Sequence, residues 1–258
     1  MKYYAIDAFT EEHFHGNPAG VCIMEEWTSD EIMQKIAFEN NLAETAFLVK
    51  KNDHYDLRWF TPEVEIDLCG HATLGSAYVL MNYFDKDLKK IAFHTMSGVL
   101  TVTREEDYYT MNFPSRKPVP CALPDILEKA LGTKVLETFI ARDLLVVLKD
   151  EDTLRELNPN FTLLKQITNV FGFIVTTKGR DCDFVSRFFA PNAGILEDPV
   201  TGSSHTTLIP FWSERLDKIK MTAKQLSKRG GTLYCKDIGD RVEISGKAVT
   251  HMIGEIIL

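Results

Sequence analysis

The chain lacks most of the devices that would assign it quickly. Only five of its 258 residues are cysteine, at positions 22, 69, 121, 182 and 235, and no two form a Cys-x-x-Cys pair. That odd, scattered set supplies neither a disulfide framework nor a zinc ribbon, and it fits a reducing, cytoplasmic setting. The seven histidines are equally dispersed, so no metal is expected, and His54 and His94 read as ordinary residues. No apolar run approaches the ~20 residues of a membrane span, and no signal-type leader opens the chain. Lys and Arg never run beyond a pair and the net charge is −8, which argues against nucleic acid and anionic membrane as partners. A Gly-x-Ser-x-Gly elbow, a Gly-Lys-Ser/Thr phosphate loop and a Rossmann fingerprint are all missing.

What is present is an ordinary globular composition, 45% hydrophobic and 26% charged, with enough chain for two domains. The best linker is Pro114-Ser115-Arg116-Lys117-Pro118-Val119-Pro120, whose three prolines suit neither a central strand nor a helix interior. The expected division is 1–114 and 115–258, with the last strand free to pack back on the first domain. Within the first domain, Asp67 to Leu80 stands out. A turn holding Cys69, Gly70 and His71 runs into residues that are apolar or small on nearly every side. Such a helix must be buried, and its first-turn amides are aimed at something anionic.

One feature recurs. Arg58-Trp59-Phe60-Thr61-Pro62 precedes Cys69-Gly70-His71-Ala72-Thr73, and Arg187-Phe188-Phe189-Ala190-Pro191 precedes Asp198-Pro199-Val200-Thr201-Gly202-Ser203-Ser204-His205. Two copies of one unit are expected, each a curved, mostly antiparallel sheet around a central helix. The second helix carries Pro210, which is expected to kink or re-cap it. Two such units face to face would point both helix starts into one cleft.

The polar groups at those starts are Cys69, His71, Asp198, Ser203, Ser204 and His205, with Asn17 and Glu44 on preceding loops. Gly16 to Gly20 reads equally well as a hairpin connection or a substrate loop. From pattern alone Glu44, where a helix gives way to an apolar strand, is expected in water at a sheet edge. The remaining equipment is acid–base, with amide donors for a carboxylate.

Five ordered motifs carry a resemblance across the whole chain: Gly16-Asn17-Pro18-Ala19-Gly20, Ala43-Glu44-Thr45-Ala46-Phe47, Phe60-Thr61-Pro62 with Cys69-Gly70-His71-Ala72-Thr73, Glu197-Asp198-Pro199-Val200-Thr201-Gly202-Ser203, and Lys228-Arg229-Gly230-Gly231. They resemble the phenazine-biosynthesis PhzF-like family, which shares the diaminopimelate epimerase fold. The resemblance implies an α+β protein of two pseudo-symmetric domains, each a sheet or barrel around a central helix. It implies an isomerase that works without metal or organic cofactor, commonly as a homodimer, on a small carboxylate held between the domains. Glu44 would then be the acid/base, contrary to the edge-residue reading, with His71 and Asp198 assisting. Ser203 and the Gly202 amide would bind the carboxylate, with Asn17 and Gly70 as further contacts. A second cysteine is missing where the two-thiol epimerases of this fold need one, which demotes Cys69. The Cys-Gly-His-Ala-Thr form resembles the family's uncharacterised branch, so the substrate is open. Two other readings stand beside the isomerase: a non-catalytic small-molecule-binding protein, and an epimerase using Cys69.

Overall fold

The computed structural model describes all 258 residues. The chain forms two compact units, Met1–Asn112 with Ile244–Leu258, and Phe113–Glu243. Residues 244–258 fold with the first unit, the last strand packing back on it. The reason is a ladder: β18 (Ala248–Glu255) lies antiparallel along β1 (Lys2–Ala8).

In the first unit β1 also pairs antiparallel with β2 (Asn17–Met24). Gly16 makes the turn into β2 possible, because its φ is +68° and a Cβ there would lie 2.2 Å from the Ala8 carbonyl oxygen. Helix α1 (Asp30–Asn40) follows, capped by the Ser29 side chain on the Ile32 amide. Asn41 closes the helix in the left-handed region. The α1 crossover lets β3 (Glu44–Lys50) run parallel to β2. Then come β4 (Tyr55–Phe60), antiparallel to β3, and the short β5 (Glu65–Ile66). Helix α2 (Gly70–Val79) lies against β1, β2, β3 and β18. Every residue of it from His71 to Val79 except Tyr78 is buried, and a π-helical turn, Leu80–Phe84, ends it. Strand β6 (Lys90–Thr95) pairs parallel with β4, and β7 (Gly98–Glu105) and β8 (Tyr108–Pro114) complete an antiparallel meander.

The second unit repeats that order. It begins with β9 (Val119–Pro120) and α3 (Leu127–Leu131), the latter stopped by left-handed Gly132. Strands β10 (Glu137–Ile140) and β11 (Leu144–Val147) pair antiparallel, like β1 and β2. The crossover to parallel β12 (Phe173–Lys178) carries α4 (Glu151–Arg155), which the sequence pattern did not indicate, and α5 (Phe161–Leu164). Strand β13 (Phe184–Ala190) is antiparallel to β12, and β14 (Ile195–Asp198) folds back on β13. Helix α6 (Gly202–Leu216) takes the place of α2 and packs on β15 (Lys220–Gln225) and β16 (Gly231–Asp237), with β17 (Arg241–Gly246) following. Strand β15 runs parallel to β13, as β6 does to β4.

The recurring arginine does the same work in both copies. Arg58 forks onto Glu65 through Nε and Nη2 at 2.6 and 2.7 Å, and Arg187 onto Glu197 at 2.7 and 2.9 Å. Each guanidinium sits over the phenylalanine two residues on, Phe60 at 5.2 Å and Phe189 at 5.1 Å. The motif is therefore a bidentate clamp holding β4 to β5 and β13 to β14 ahead of the central helix.

Pro210 does not re-cap its helix; α6 runs unbroken from Gly202 to Leu216. A proline leaves the carbonyl four residues earlier without its helical donor. Here that carbonyl, on Thr206, accepts from the Arg116 amide at 2.9 Å. No helix of the structure is long and apolar enough to cross a membrane.

Candidate active site

The first unit gathers four chemically capable side chains at the start of α2. Glu44 is the first residue of β3, lying opposite Ala19 of β2, and its side chain is only 12% exposed. The water-exposed edge expected from pattern alone is thus corrected. Parallel pairing with β2 carries the start of β3 inward, beside the helix rather than along a free edge. His71, one residue into α2, is buried, and its Nε2 lies 3.0 Å from Glu44 Oε2. The pair is close but out of line for a hydrogen bond, and neither buried atom has another hydrogen-bond partner. Buried polar atoms left so are rare unless a function uses them.

The other face of the imidazole is equally occupied. Asn17, wholly buried at the start of β2, places Nδ2 3.3 Å from His71 Nδ1, and the Cys69 Sγ lies 3.5 Å from the same nitrogen. In this amide orientation Asn17 donates and the ring carries its proton on Nε2, toward Glu44. Turned over, the amide would offer its oxygen to a protonated Nδ1. Both ring states are therefore accommodated. Burial works against the imidazolium, but the Cys69 and Glu44 groups at its two nitrogens outweigh that and hold His71 well above its ordinary pKa. Burial pushes the Cys69 thiol up, and the Glu44 charge adds to it. The imidazole beside Cys69 works the other way, but burial prevails. The reading from sequence missed this contact, since a Cys-x-His spacing does not say which way a helix-capping residue turns. Glu44, Cys69 and His71 each bring one ligand atom within 4.8 Å of the others, a spacing that also accommodates a divalent cation. Gly70 is the first residue of α2, where the amides have no helical acceptor.

In the second unit Asp198 ends β14. Its carboxylate accepts from the Thr201 hydroxyl and its carbonyl from Gln225 Nε2 at 2.7 Å. Gly202 opens α6 and is buried, and Ser203 follows, half-buried. Arg142, in the turn between β10 and β11, donates from Nη2 to Ser203 Oγ at 3.2 Å. Its guanidinium also grips Asp143 and lies 4.5 Å from the Phe171 ring centroid. No motif pointed to Arg142, because a turn residue 61 positions away in sequence leaves no local signal.

His205 is removed from the site. It is wholly buried, donates from Nδ1 to the Thr201 carbonyl at 2.8 Å, and packs near Phe184. Burial pushes its pKa down from 6.5 to about 4. The folded protein thus holds this ring neutral while the unfolded chain protonates it near 6.5. Stability is present above pH 6.5 and is lost as pH falls toward 4, by about 3 kcal/mol at most. Melting temperature followed from pH 7 to 4 should therefore fall less steeply in His205→Gln than in the natural protein. Equal slopes would disprove the assignment.

The fold is of the diaminopimelate epimerase-like class, shared with the solved structures it matches. A protein from Pseudomonas aeruginosa described as a predicted epimerase matches over 100% of this chain and 99% of its own, with a TM-score of 0.80; at 20% identity it speaks for the fold alone. The family model for phenazine biosynthesis-like proteins matches residues 6–254, and the chain belongs to that family. It is 49% identical to an uncharacterized isomerase of Pseudomonas aeruginosa over 100% of this chain and 99% of that one. A crystal structure of a PhzF-family phenazine biosynthesis protein from Enterococcus faecalis matches with a TM-score of 0.98 at 49% identity, covering 100% and 99% of the two chains. The chain is an enzyme of the isomerase class.

Proposed function

We propose that the protein is a cofactor-independent isomerase that moves a proton along a small carboxylate substrate, with Glu44 as the acid/base. The observation that carries this reading is the pair of buried, facing atoms Glu44 Oε2 and His71 Nε2, 3.0 Å apart and out of line for a hydrogen bond. A carboxylate held dry beside an imidazole at a helix start can accept a proton from a carbon next to the substrate carboxylate and return it elsewhere. The electron pair left behind is delocalised into the carboxylate as an enediolate, stabilised by the amide donors at the start of α2. His71 holds Glu44 in place and balances its charge as the proton comes and goes. Asp198 assists the transfer, and Ser203 with the Gly202 amide binds the substrate carboxylate. Asn17 and Gly70 complete the binding groups.

The test is solvent deuterium exchange. Small unsaturated and hydroxylated carboxylates are incubated with the protein in D2O and read by proton NMR. Exchange at a carbon-bound position is expected and should persist in Cys69→Ala. Exchange lost in Cys69→Ala but kept in Glu44→Gln would replace this reading with the thiol epimerase. A ligand that raises the melting temperature without exchanging would favour the binding protein. Arg142 has a separate signature. Because it holds the Ser203 hydroxyl, Arg142→Ala should raise KM roughly tenfold with little change in kcat. A fall in kcat at unchanged KM would contradict that role.

A further inference from the structure

A second cluster of titratable side chains lies in the first unit, among residues that the proton-transfer site does not use. His54 stands in the turn just before β4, Asp56 is the second residue of β4 and His94 lies near the end of β6, where the parallel register sets Asp56 opposite His94. One ligand atom from each of the three lies within 4.8 Å of the others. The imidazoles of His54 and His94 are stacked, with centroids 3.7 Å apart and planes 17° from parallel. We propose that His54, Asp56 and His94 form a surface site for a late first-row divalent cation, Zn2+ in the first instance.

Two features go beyond a chance meeting of polar residues. Asp53 Oδ1 accepts from His54 Nδ1 at 2.9 Å, which fixes the tautomer and leaves Nε2 with its lone pair toward Asp56. A carboxylate behind the outer nitrogen is how metal-bound imidazoles are commonly oriented. In addition, His54 Nε2 lies 3.3 Å from Asp56 Oδ1, out of line for a hydrogen bond. Two ligands at ~2.0–2.1 Å from one tetrahedral zinc sit about 3.3 Å apart. That separation is met before any movement. His94 is exposed, and one of its ring nitrogens already lies within 4.8 Å of the other two ligand atoms, so a modest turn of the ring would complete the set. Lys51 Nζ lies 3.9 Å from the other oxygen, Asp56 Oδ2, which leaves Oδ1 to the metal. Two imidazoles and a carboxylate suit Zn2+, Cu2+ or Ni2+, with water on the open side. Bound there, the ion would tie the turn before β4 to the β6 edge.

The test is calorimetric titration of the chelator-treated full-length protein with ZnCl2. One equivalent is expected to bind below about 100 µM, weakened at least tenfold in His54→Gln and in His94→Gln and less in Asp53→Ala. Cys69→Ala, which removes a ligand of the buried Glu44, Cys69 and His71 cluster, should leave this binding intact. Cu2+ electron paramagnetic resonance should show two coordinated imidazole nitrogens, falling to one in His94→Gln. Zinc binding that survives both histidine variants, or is lost in Cys69→Ala, overturns the proposal, as does the absence of binding at that concentration. Melting curves without metal, matching the natural protein, verify that the exposed variants are folded.

Discussion

Glu44→Gln is expected to slow proton exchange into the substrate by about 10²–10⁴-fold, the contribution usual for a positioned general acid or base. The amide has nearly the same shape as the carboxylate, so the buried start of β3 should keep its place. What it loses is the ability to take a proton. Substrate binding should change little, since the carboxylate-holding groups assigned here are Ser203, Gly202, Asn17 and Gly70. The decrease should therefore appear in kcat at nearly constant KM, measured by NMR exchange rates at several substrate concentrations. Far-UV circular dichroism serves as the folding control, and some fall in melting temperature is expected, because Gln removes the charge that helps hold the buried His71 imidazolium. A rate within threefold of the natural enzyme's would remove Glu44 from the mechanism. A large rise in KM alone would make it a binding residue.

Arg187→Ala should be the most destabilising single change in the clamp motifs, costing about 3–5 kcal/mol. The side chain is almost buried and does two jobs. It forks onto Glu197, and its Nη1 donates to the backbone carbonyls of Leu154 and Leu157 at 3.2 and 2.7 Å. Its removal strands a half-buried carboxylate and two carbonyls where α4 ends. The counterpart Arg58 is 24% exposed and its second acidic partner, Asp30, is mostly in solvent. Arg58→Ala should cost well under half as much, because water can replace what is lost. Thermal denaturation decides the matter: a fall on the order of 10 °C is expected for Arg187→Ala. Arg187→Lys should recover little, since an ammonium cannot reproduce the fork. Equal losses for the two alanine variants would show that burial does not set the difference.

How much of this was legible beforehand differs from residue to residue. The central helix of the first unit could be read because it is apolar on all sides, and only a buried helix tolerates that. The repeat could be read because Arg-aromatic-Phe-x-Pro is a local pattern; the clamp it builds closes within ten residues in each unit. Pro210 does not re-cap α6, and the donor that serves the Thr206 carbonyl comes from Arg116, far off in sequence. Glu44 was read in two ways. Its own neighbours indicated a wet edge, and only the motif order indicated a dry site. Arg142 and the contact between Cys69 and His71 were not legible at all.

The sequence by itself determined the kind of elements, their order and their twofold recurrence, since periodicity, capping and turn chemistry act over a few residues. It also determined the family, through five motifs in a set order. Tertiary structure alone decided which side chains meet. Parallel pairing of β2 with β3 brings Asn17 and Glu44 to one end of α2, and parallel pairing of β4 with β6 stacks His54 on His94. Each meeting depends on strand register, which is set by long-range packing and can be shifted by one residue without altering any local preference.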